Sequence, residues 1–452
     1  MNMKPHLQTL IVVTAGLTSI ASQATTSVSN TDVPVLIQLI ENAVINDKKR
    51  SEITAQTQAT LENSVAASSL PDPKLKMGLG GLPIDSFSFD SDPMTMLSVG
   101  LMQQFGRGAT LDLQQLKGEI QAKGIELQLG VRELDIANAI TQRWLELGYL
   151  QQVEAIIKQN KRLFTELAQV TKTNYANGTN EAQDVLQAQL QISKIDETLN
   201  SNQQQQQQQQ RLIYQLSEWL GAQWLSSAGT MNAKQPLHWQ KLNTLLPQLE
   251  NQTEHYAILR HHPMVKISDT AISASETQVD IATEAYKPQF GVEVMYGARF
   301  ANGMNGKTAS DMLSAYLTMD VPLFTENKQD RTYNAAQQQV IAAKSQRDLL
   351  LQQMNAKVNT LLIERHNLLS RIERYKKSLQ PQAKARTQAV ERGYQNNTAS
   401  FKDVITAAND ELNLNTERVR IETDLQLTNS QLAALTNGFD IQFPTLTNNN
   451  NQ

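Results

Sequence analysis

The 452-residue sequence contains no cysteine. This excludes disulfides, cysteine-ligated metal centres and a lipid anchor on an N-terminal cysteine. Histidines number only six, and 40 basic residues stand against 44 acidic ones. A nucleic-acid-binding protein normally shows a basic excess or a basic stripe, so we expect no nucleic-acid partner.

Aromatic residues are also scarce, at 5% of the chain. Glutamine and asparagine are abundant instead, which suits long helices with polar faces better than one thick hydrophobic core. Beyond the N-terminal region, no segment approaches the roughly 20 apolar residues that a membrane-spanning helix needs. The chain is therefore predicted either to be soluble or to enter a membrane as β-strands.

Residues 1–24 have the pattern of a secretory signal peptide. Lys4 lies in a short polar start, an apolar run follows over 10–21, and Ser22 and Ala24 provide small residues before a cleavage point. An exported protein of this size without disulfides fits the envelope of a bacterium.

Two halves of the sequence resemble each other at a fixed displacement. Phe105 and Phe324, Tyr175 and Tyr394, and Asp184 and Asp403 each lie 219 positions apart. Around the last two pairs the residue order Tyr-x-Asn-x-Thr, followed by Asp-Val, occurs in both halves. An internal repeat of this length indicates that one supersecondary unit occurs twice.

Each repeat contains two segments that alternate between apolar and polar residues. The alternation predicts strands at about 73–83 and 95–105 in the first repeat, and at about 289–300 and 312–324 in the second. The second pair has the length of tilted strands that cross a bilayer. Since an isolated hairpin is marginally stable in water, we expect these strands to pair with strands of other chains.

Long helical patterns follow each pair of strands. Helices are predicted at about 107–173 and 180–225, and again at about 326–392 and 399–436. Each long helix ends at the repeated turn, where Gly178 or Asn397 can supply a left-handed residue at the helix C-terminus. In the first helix, two heptad series of apolar residues lie on opposite sides, which predicts a helix with a neighbour on each side, as in a wall. The glutamine run 203–210 is interpreted as a polar helix face and receives no function.

The predicted organisation is a signal peptide (1–24), a first repeat (25–225), an inter-repeat segment (226–252), a second repeat (253–438) and a partly disordered tail (439–452).

This duplicated arrangement of strand hairpins and long helix pairs, behind a signal peptide, resembles the TolC family of outer-membrane efflux proteins. The residues most similar to the family are the two Tyr-x-Asn-x-Thr turns with their following aspartates, and the strand–helix junctions at 104–108 and 321–324. The segment 71–105 looks most similar to outer-membrane components of heavy-metal pumps.

The resemblance implies an α+β, mainly α fold and a homotrimer. Three chains with four strands each form a 12-stranded β-barrel in the outer-membrane lipid, continued by a long α-helical barrel in the periplasm. The implied function is an exit duct, without enzymatic activity or cofactor. The implied partners are a periplasmic adaptor protein and an inner-membrane pump of the resistance-nodulation-division type. Its cargo is expected to be metal ions or small toxic compounds.

The family closes its periplasmic end with tyrosine and acidic side chains at the helix turns. Tyr175, Asp184, Tyr394 and Asp403 are the residues that match this pattern. Ala399 and Thr406 occupy positions where some members carry an arginine and a second aspartate, which predicts a more loosely held gate.

Two other functions remain open from the residues alone: a soluble periplasmic coiled-coil scaffold, and the outer-membrane duct of a protein secretion system. A metal site is considered because Met77, Met94, Met96 and Met102 cluster around the first hairpin in sequence. Methionines at such positions more commonly fill lipid-facing or packed sites.

Overall fold

The computed structural model describes residues 35–178, 181–216, 231–234, 237–303, 306–396 and 398–441. The predicted signal peptide, residues 217–230 and the tail from 442 onwards lie outside these residues. The helices are α1 (Val35–Asn46), α2 (Lys48–Ser68), α3 (Thr110–Glu126), α4 (Gln128–Ala176), α5 (Ala182–Leu216), α6 (Gln240–Glu250), α7 (Tyr256–Leu259), α8 (Pro263–Glu284), α9 (Gln329–Arg374), α10 (Gln380–Gln395) and α11 (Phe401–Thr436). The strands are β1 (Lys74–Gly80), β2 (Met96–Gln104), β3 (Gln289–Arg299) and β4 (Met312–Asp320).

The four strands form one antiparallel sheet in the order β1-β2-β3-β4. Its central pairing joins the two repeats, with Leu101 opposite Val294 and Val99 opposite Tyr296. All four strands lie where the alternation predicts them, and β1 and β4 are somewhat shorter than predicted. β1 and β4 are the two edges of the sheet, so each has backbone groups available for a further strand.

The long helices form a wall below the sheet. Near the strands α2, α3, α8 and α9 pack side by side in that order, and farther away α5, α4, α11 and α10 do the same. α3 and α4 together lead from the sheet to the first helix turn, a distance of about 100 Å at 1.5 Å per residue. The sheet therefore lies at one end of the molecule and the two helix turns lie at the other.

The first long helix is interrupted where the sequence predicts one continuous helix over 107–173. The break is at Leu127, between Gly124 and Gly130. An added Cβ would lie 2.7 Å from the Thr270 hydroxyl oxygen at Gly124 and 3.1 Å from Pro263 at Gly130. Close approach of α8 thus coincides with two residues of low helix propensity, and the helix is interrupted there.

The second long helix, predicted over 326–392, is interrupted by a π-helical turn at Tyr375–Leu379. Pro381 follows directly, at the start of α10. A proline inside a helix removes one hydrogen bond and its ring clashes with the preceding turn. The wider π turn accommodates that clash without ending the helix.

The main core lies at the middle of the wall and includes the segment between the repeats. Trp239 packs against Phe439 with ring centroids 6.1 Å apart, and Leu242 and Leu249 are fully buried. Asp440 accepts hydrogen bonds from the backbone N–H groups of Gln240 and Lys241 at the start of α6. Residues 439–441 therefore belong to the packed structure, although the sequence assigned them to the tail.

An ionic network connects α4 to α11 in this region. Arg420 binds both carboxylate oxygens of Glu146 at 2.8 and 3.1 Å, and its guanidinium lies 4.6 Å from the ring centroid of Tyr149. The network joins the helices of the two repeats. Among the helices of the described residues, none is long and apolar enough to cross a membrane.

Candidate functional site at the helix turns

The first turn follows α4 and closes by the mechanism that the sequence predicts. Gly178 has φ +73°, and its N–H donates to the Tyr175 carbonyl at 3.0 Å. Glycine adopts this left-handed conformation without steric cost, so α4 ends here and the chain reverses.

The second turn follows α10 and has a different local structure. Thr398 and Ala399 both donate backbone hydrogen bonds to the Gly393 carbonyl, at 2.7 and 3.2 Å. α11 then begins with a capping box, in which the Ser400 hydroxyl accepts from the Asp403 N–H and the Asp403 carboxylate accepts from the Ser400 N–H. Asn397, the predicted left-handed residue of this turn, lies outside the described residues.

Tyr394 holds the two helix pairs together near these turns. It is only 6% exposed, and its hydroxyl lies 2.9 Å from the Thr171 hydroxyl of α4. Since the Thr171 hydroxyl donates to the Leu167 carbonyl, Tyr394 is the donor to Thr171. The tyrosine ring packs on Phe401 of α11 with centroids 5.6 Å apart.

Tyr175, the counterpart of Tyr394, has a different environment. It lies one helical turn beyond Thr171 and is 50% exposed. The position equivalent to Phe401 in the first repeat is Ala182, and the position equivalent to Thr171 in the second is Val390. The first copy thus lacks both the ring and the hydroxyl that hold Tyr394, and the two tyrosines are not equivalent in the fold.

The two predicted aspartates occupy the first turns of equivalent helices, α5 and α11. Asp403 is exposed, and Ser400 donates its hydroxyl hydrogen to the Asp403 carboxylate at 2.6 Å. Hydrogen bonds from the side chain and backbone of Ser400 lower the pKa of Asp403, so this carboxylate is ionised at neutral pH. Asp184 lies in the first turn of α5, where its N–H donates to the Glu181 carbonyl at 3.1 Å.

Further contacts between the helix pairs were not predicted from the sequence. The Gln191 side chain of α5 donates to Asn409 Oδ1 of α11 at 3.0 Å, about two turns beyond the aspartates. The apolar residues beneath the turns form one cluster from α4, α5, α10 and α11, including Phe164, Phe401 and Val404. The order Ser400-x-x-Asp403 is the sequence signal that identifies the capping box. Contacts across helices carry no comparable local signal.

The methionines that lie close in sequence around the first hairpin do not share one face of the sheet. Met77 lies on one face of the sheet, and Met96 and Met102 lie six residues apart on the opposite face of β2. Within the described part of the chain, no group of three or more His, Cys, Asp or Glu side chains is placed to hold a metal ion.

A second distinctive surface is the outer face of the sheet. Met77, Val99, Tyr296 and Leu313 come from the four strands, lie in one row across the sheet and are each at least 45% exposed. The opposite face carries Glu293, which is 7% exposed and bound by Lys76 Nζ at 2.6 Å. The sheet therefore presents a largely apolar face on one side and a charged pair on the other.

Comparison with solved structures identifies the same architecture in bacterial membrane channels. The outer membrane protein VceC from Vibrio cholerae aligns with a TM-score of 0.69 at 17% identity, over 89% of this chain and 96% of that one. CusC, for which transmembrane channel formation is described, gives 0.69 at 14% identity, over 89% and 92%. The CmeC outer membrane channel of Campylobacter jejuni gives 0.66 at 12% identity, over 89% and 85%.

Neither a protein-family model nor a curated protein matches this sequence. At identities of 17% or less, the structural likeness establishes the fold. It confirms the predicted mainly helical architecture with a small four-stranded sheet.

Proposed function

Since the chain has the fold of TolC-type outer-membrane channels, we propose that it is the outer-membrane exit duct of a tripartite efflux pump. In this role it lies in the outer membrane and extends into the periplasm. It acts as a passive channel that receives substrates from an inner-membrane transporter of the resistance-nodulation-division type through a periplasmic adaptor protein. Its cargo is metal ions or small toxic compounds.

The observation that carries this proposal is the apolar outer face of the sheet. Phe290, Val292, Val294 and Tyr296 alternate along β3 with side chains of the opposite face, and each is 39–49% exposed. A contiguous apolar surface that extends over all four strands is rare on a soluble protein and marks contact with lipid or another protein. A soluble coiled-coil scaffold gives no reason for such a face, so the duct is favoured over that alternative.

The proposed assembly is a homotrimer. One four-stranded sheet cannot close on itself, and among the described residues no further strand pairs with the outer edge of β1 or of β4. Pairing β4 of one chain with β1 of the next, in three copies, closes a 12-stranded barrel without edges. The helical walls then enclose a tunnel below the barrel.

The helix turns form the proposed periplasmic gate. Tyr175, Asp184, Tyr394 and Asp403 lie at this end, and threefold assembly brings the aspartates of three chains towards one axis. Opening requires the α4–α5 pair and the α10–α11 pair to separate. The bond between Tyr394 and Thr171 and the bond between Gln191 and Asn409 oppose that movement, because each joins one pair to the other.

Detergent extraction and planar bilayers test the proposal. We expect the protein to require detergent for extraction, to give a mass of three chains in native mass spectrometry, and to conduct ions in discrete steps. A monodisperse monomer that is soluble without detergent and keeps its strands would refute the duct and favour the scaffold.

A further inference from the structure

A cleft between α4, α10 and α11 has a chemistry that the duct function does not use. It measures about 230 Å³ and its lining includes Asn160 of α4, Glu391 of α10 and Glu411 of α11. Its lining residues lie between about one and five helical turns from the ends of these helices, and none of the proposed gate residues lines it.

The cleft contains hydrogen-bond acceptors that receive no hydrogen bond from a protein donor. Asn160 is 91% buried, since 9% of its surface is exposed, and its Oδ1 has no hydrogen-bond partner. Its Nδ2 makes one contact, to the Ala408 carbonyl at 3.4 Å, which is beyond the usual 2.7–3.2 Å range. The amide is therefore weakly held, and a buried oxygen without a donor is costly unless a ligand satisfies it.

The carboxylates beside Asn160 are likewise uncompensated. In the described part of the chain neither Glu391 nor Glu411 takes part in an ion pair. Burial raises the pKa of Glu391, and the nearby carboxylates of Glu411 and Glu166 raise it further. Lys384 also lines the cleft, but the pKa of Glu391 is raised nonetheless.

We propose that this cleft binds a hydrated divalent cation, held by the carboxylates of Glu391 and Glu411 and by Asn160 Oδ1. Hard cations such as Mg²⁺ and Ca²⁺ take carboxylate and amide oxygens as ligands, and Mg²⁺ retains several waters where only one or two carboxylates are present. The cleft has room for an ion with several of its waters. The ligands come from both repeats, so the ion joins α4 to the α10–α11 pair.

Isothermal titration calorimetry of the full-length, detergent-solubilised protein with MgCl2 and with CaCl2 tests this inference. We expect one ion per chain for at least one of the two salts. The Glu391→Gln/Glu411→Gln variant should lose roughly tenfold or more in affinity. Glu197→Gln/Glu364→Gln removes the same charge from exposed positions on α5 and α9 and should bind as the unmodified protein does.

Asn160→Leu separates coordination from general electrostatics, because it removes the amide oxygen without changing the net charge. We expect it to weaken binding while the helix content measured by circular dichroism is unchanged. Absence of binding at millimolar salt, or equal loss in both double variants, would overturn the proposal. Binding of unchanged affinity and stoichiometry in Glu391→Gln/Glu411→Gln would also overturn it, by placing the ion elsewhere.

Discussion

At the scale of single residues, Tyr394 shows how one hydroxyl connects two halves of the chain. Its ring packs on Phe401 of the same hairpin, and its hydroxyl donates to Thr171 of the other. Tyr175 occupies the equivalent place in the first repeat and is half exposed. The contribution of each tyrosine to stability and to gating should therefore differ.

Tyr394→Phe removes the hydroxyl and retains the ring. Because a buried hydrogen bond contributes about 1 kcal/mol, we expect the free energy of unfolding to fall by about that amount. If the gate is held by this bond, the basal conductance in bilayers should also rise. Tyr175→Phe is the matched control and should change neither quantity. Equal effects of the two substitutions would show that the Tyr394–Thr171 bond has no special role.

At the scale of secondary structure elements, the strands of the sheet have two unlike faces. Val294 lies on the apolar face, and Met295 faces the side that carries the Lys76–Glu293 pair. Val294→Arg places a charge in the proposed lipid-facing layer, at a cost of about 2–4 kcal/mol near the bilayer midplane. We expect less folded protein in the outer-membrane fraction for Val294→Arg than for Met295→Arg. Equal recovery of both would mean that the apolar face does not contact lipid.

The start of α11 offers a second test at this scale. Ser400 caps the helix and Asp403 completes the capping box. Ser400→Ala should reduce the free energy of unfolding by about 1 kcal/mol, since it removes the cap. Thr398→Ala alters the same turn without removing the cap and should have a smaller effect in the same denaturant titration.

The capping box also predicts a pH dependence. Because the folded-state pKa of Asp403 is lowered, its contribution is present above the unfolded-state pKa and is lost as the pH falls through the folded-state pKa. The difference in stability between the unmodified protein and Asp403→Asn should therefore be constant near neutral pH and shrink in acid. A difference that grew as the pH fell would contradict the role of the ionised carboxylate.

At the scale of the whole molecule, the proposed trimer concentrates negative charge at the periplasmic mouth. Asp184 and Asp403 of three chains supply six carboxylates, and a confined acidic entrance raises the local concentration of cations. We expect cation-selective conductance that multivalent cations block from the periplasmic side. Asp184→Ala/Asp403→Ala should weaken both effects and leave the trimer intact in native mass spectrometry. Unchanged selectivity in this variant would remove these residues from the entrance.

The sequence by itself determined the features that depend on local periodicity. Alternation of period two located the four strands and their apolar faces, because a strand turns successive side chains to opposite sides. The displacement of 219 residues showed that Tyr175 and Tyr394 occupy equivalent positions in two copies of one unit. The turn at Gly178 followed from the conformational freedom of glycine.

The tertiary structure alone decided which equivalent residues have equivalent environments. Tyr394 is buried and Tyr175 exposed because packing against Thr171 and Phe401 joins segments far apart in the chain, and periodicity holds no information about such pairs. The break at Leu127 likewise depends on the close approach of α8, whereas the π turn at Tyr375–Leu379 lies next to Pro381, a feature of the local sequence. The acidic cleft beside Asn160 exists because three helices from different parts of the sequence meet there, and their meeting is a property of the packed fold.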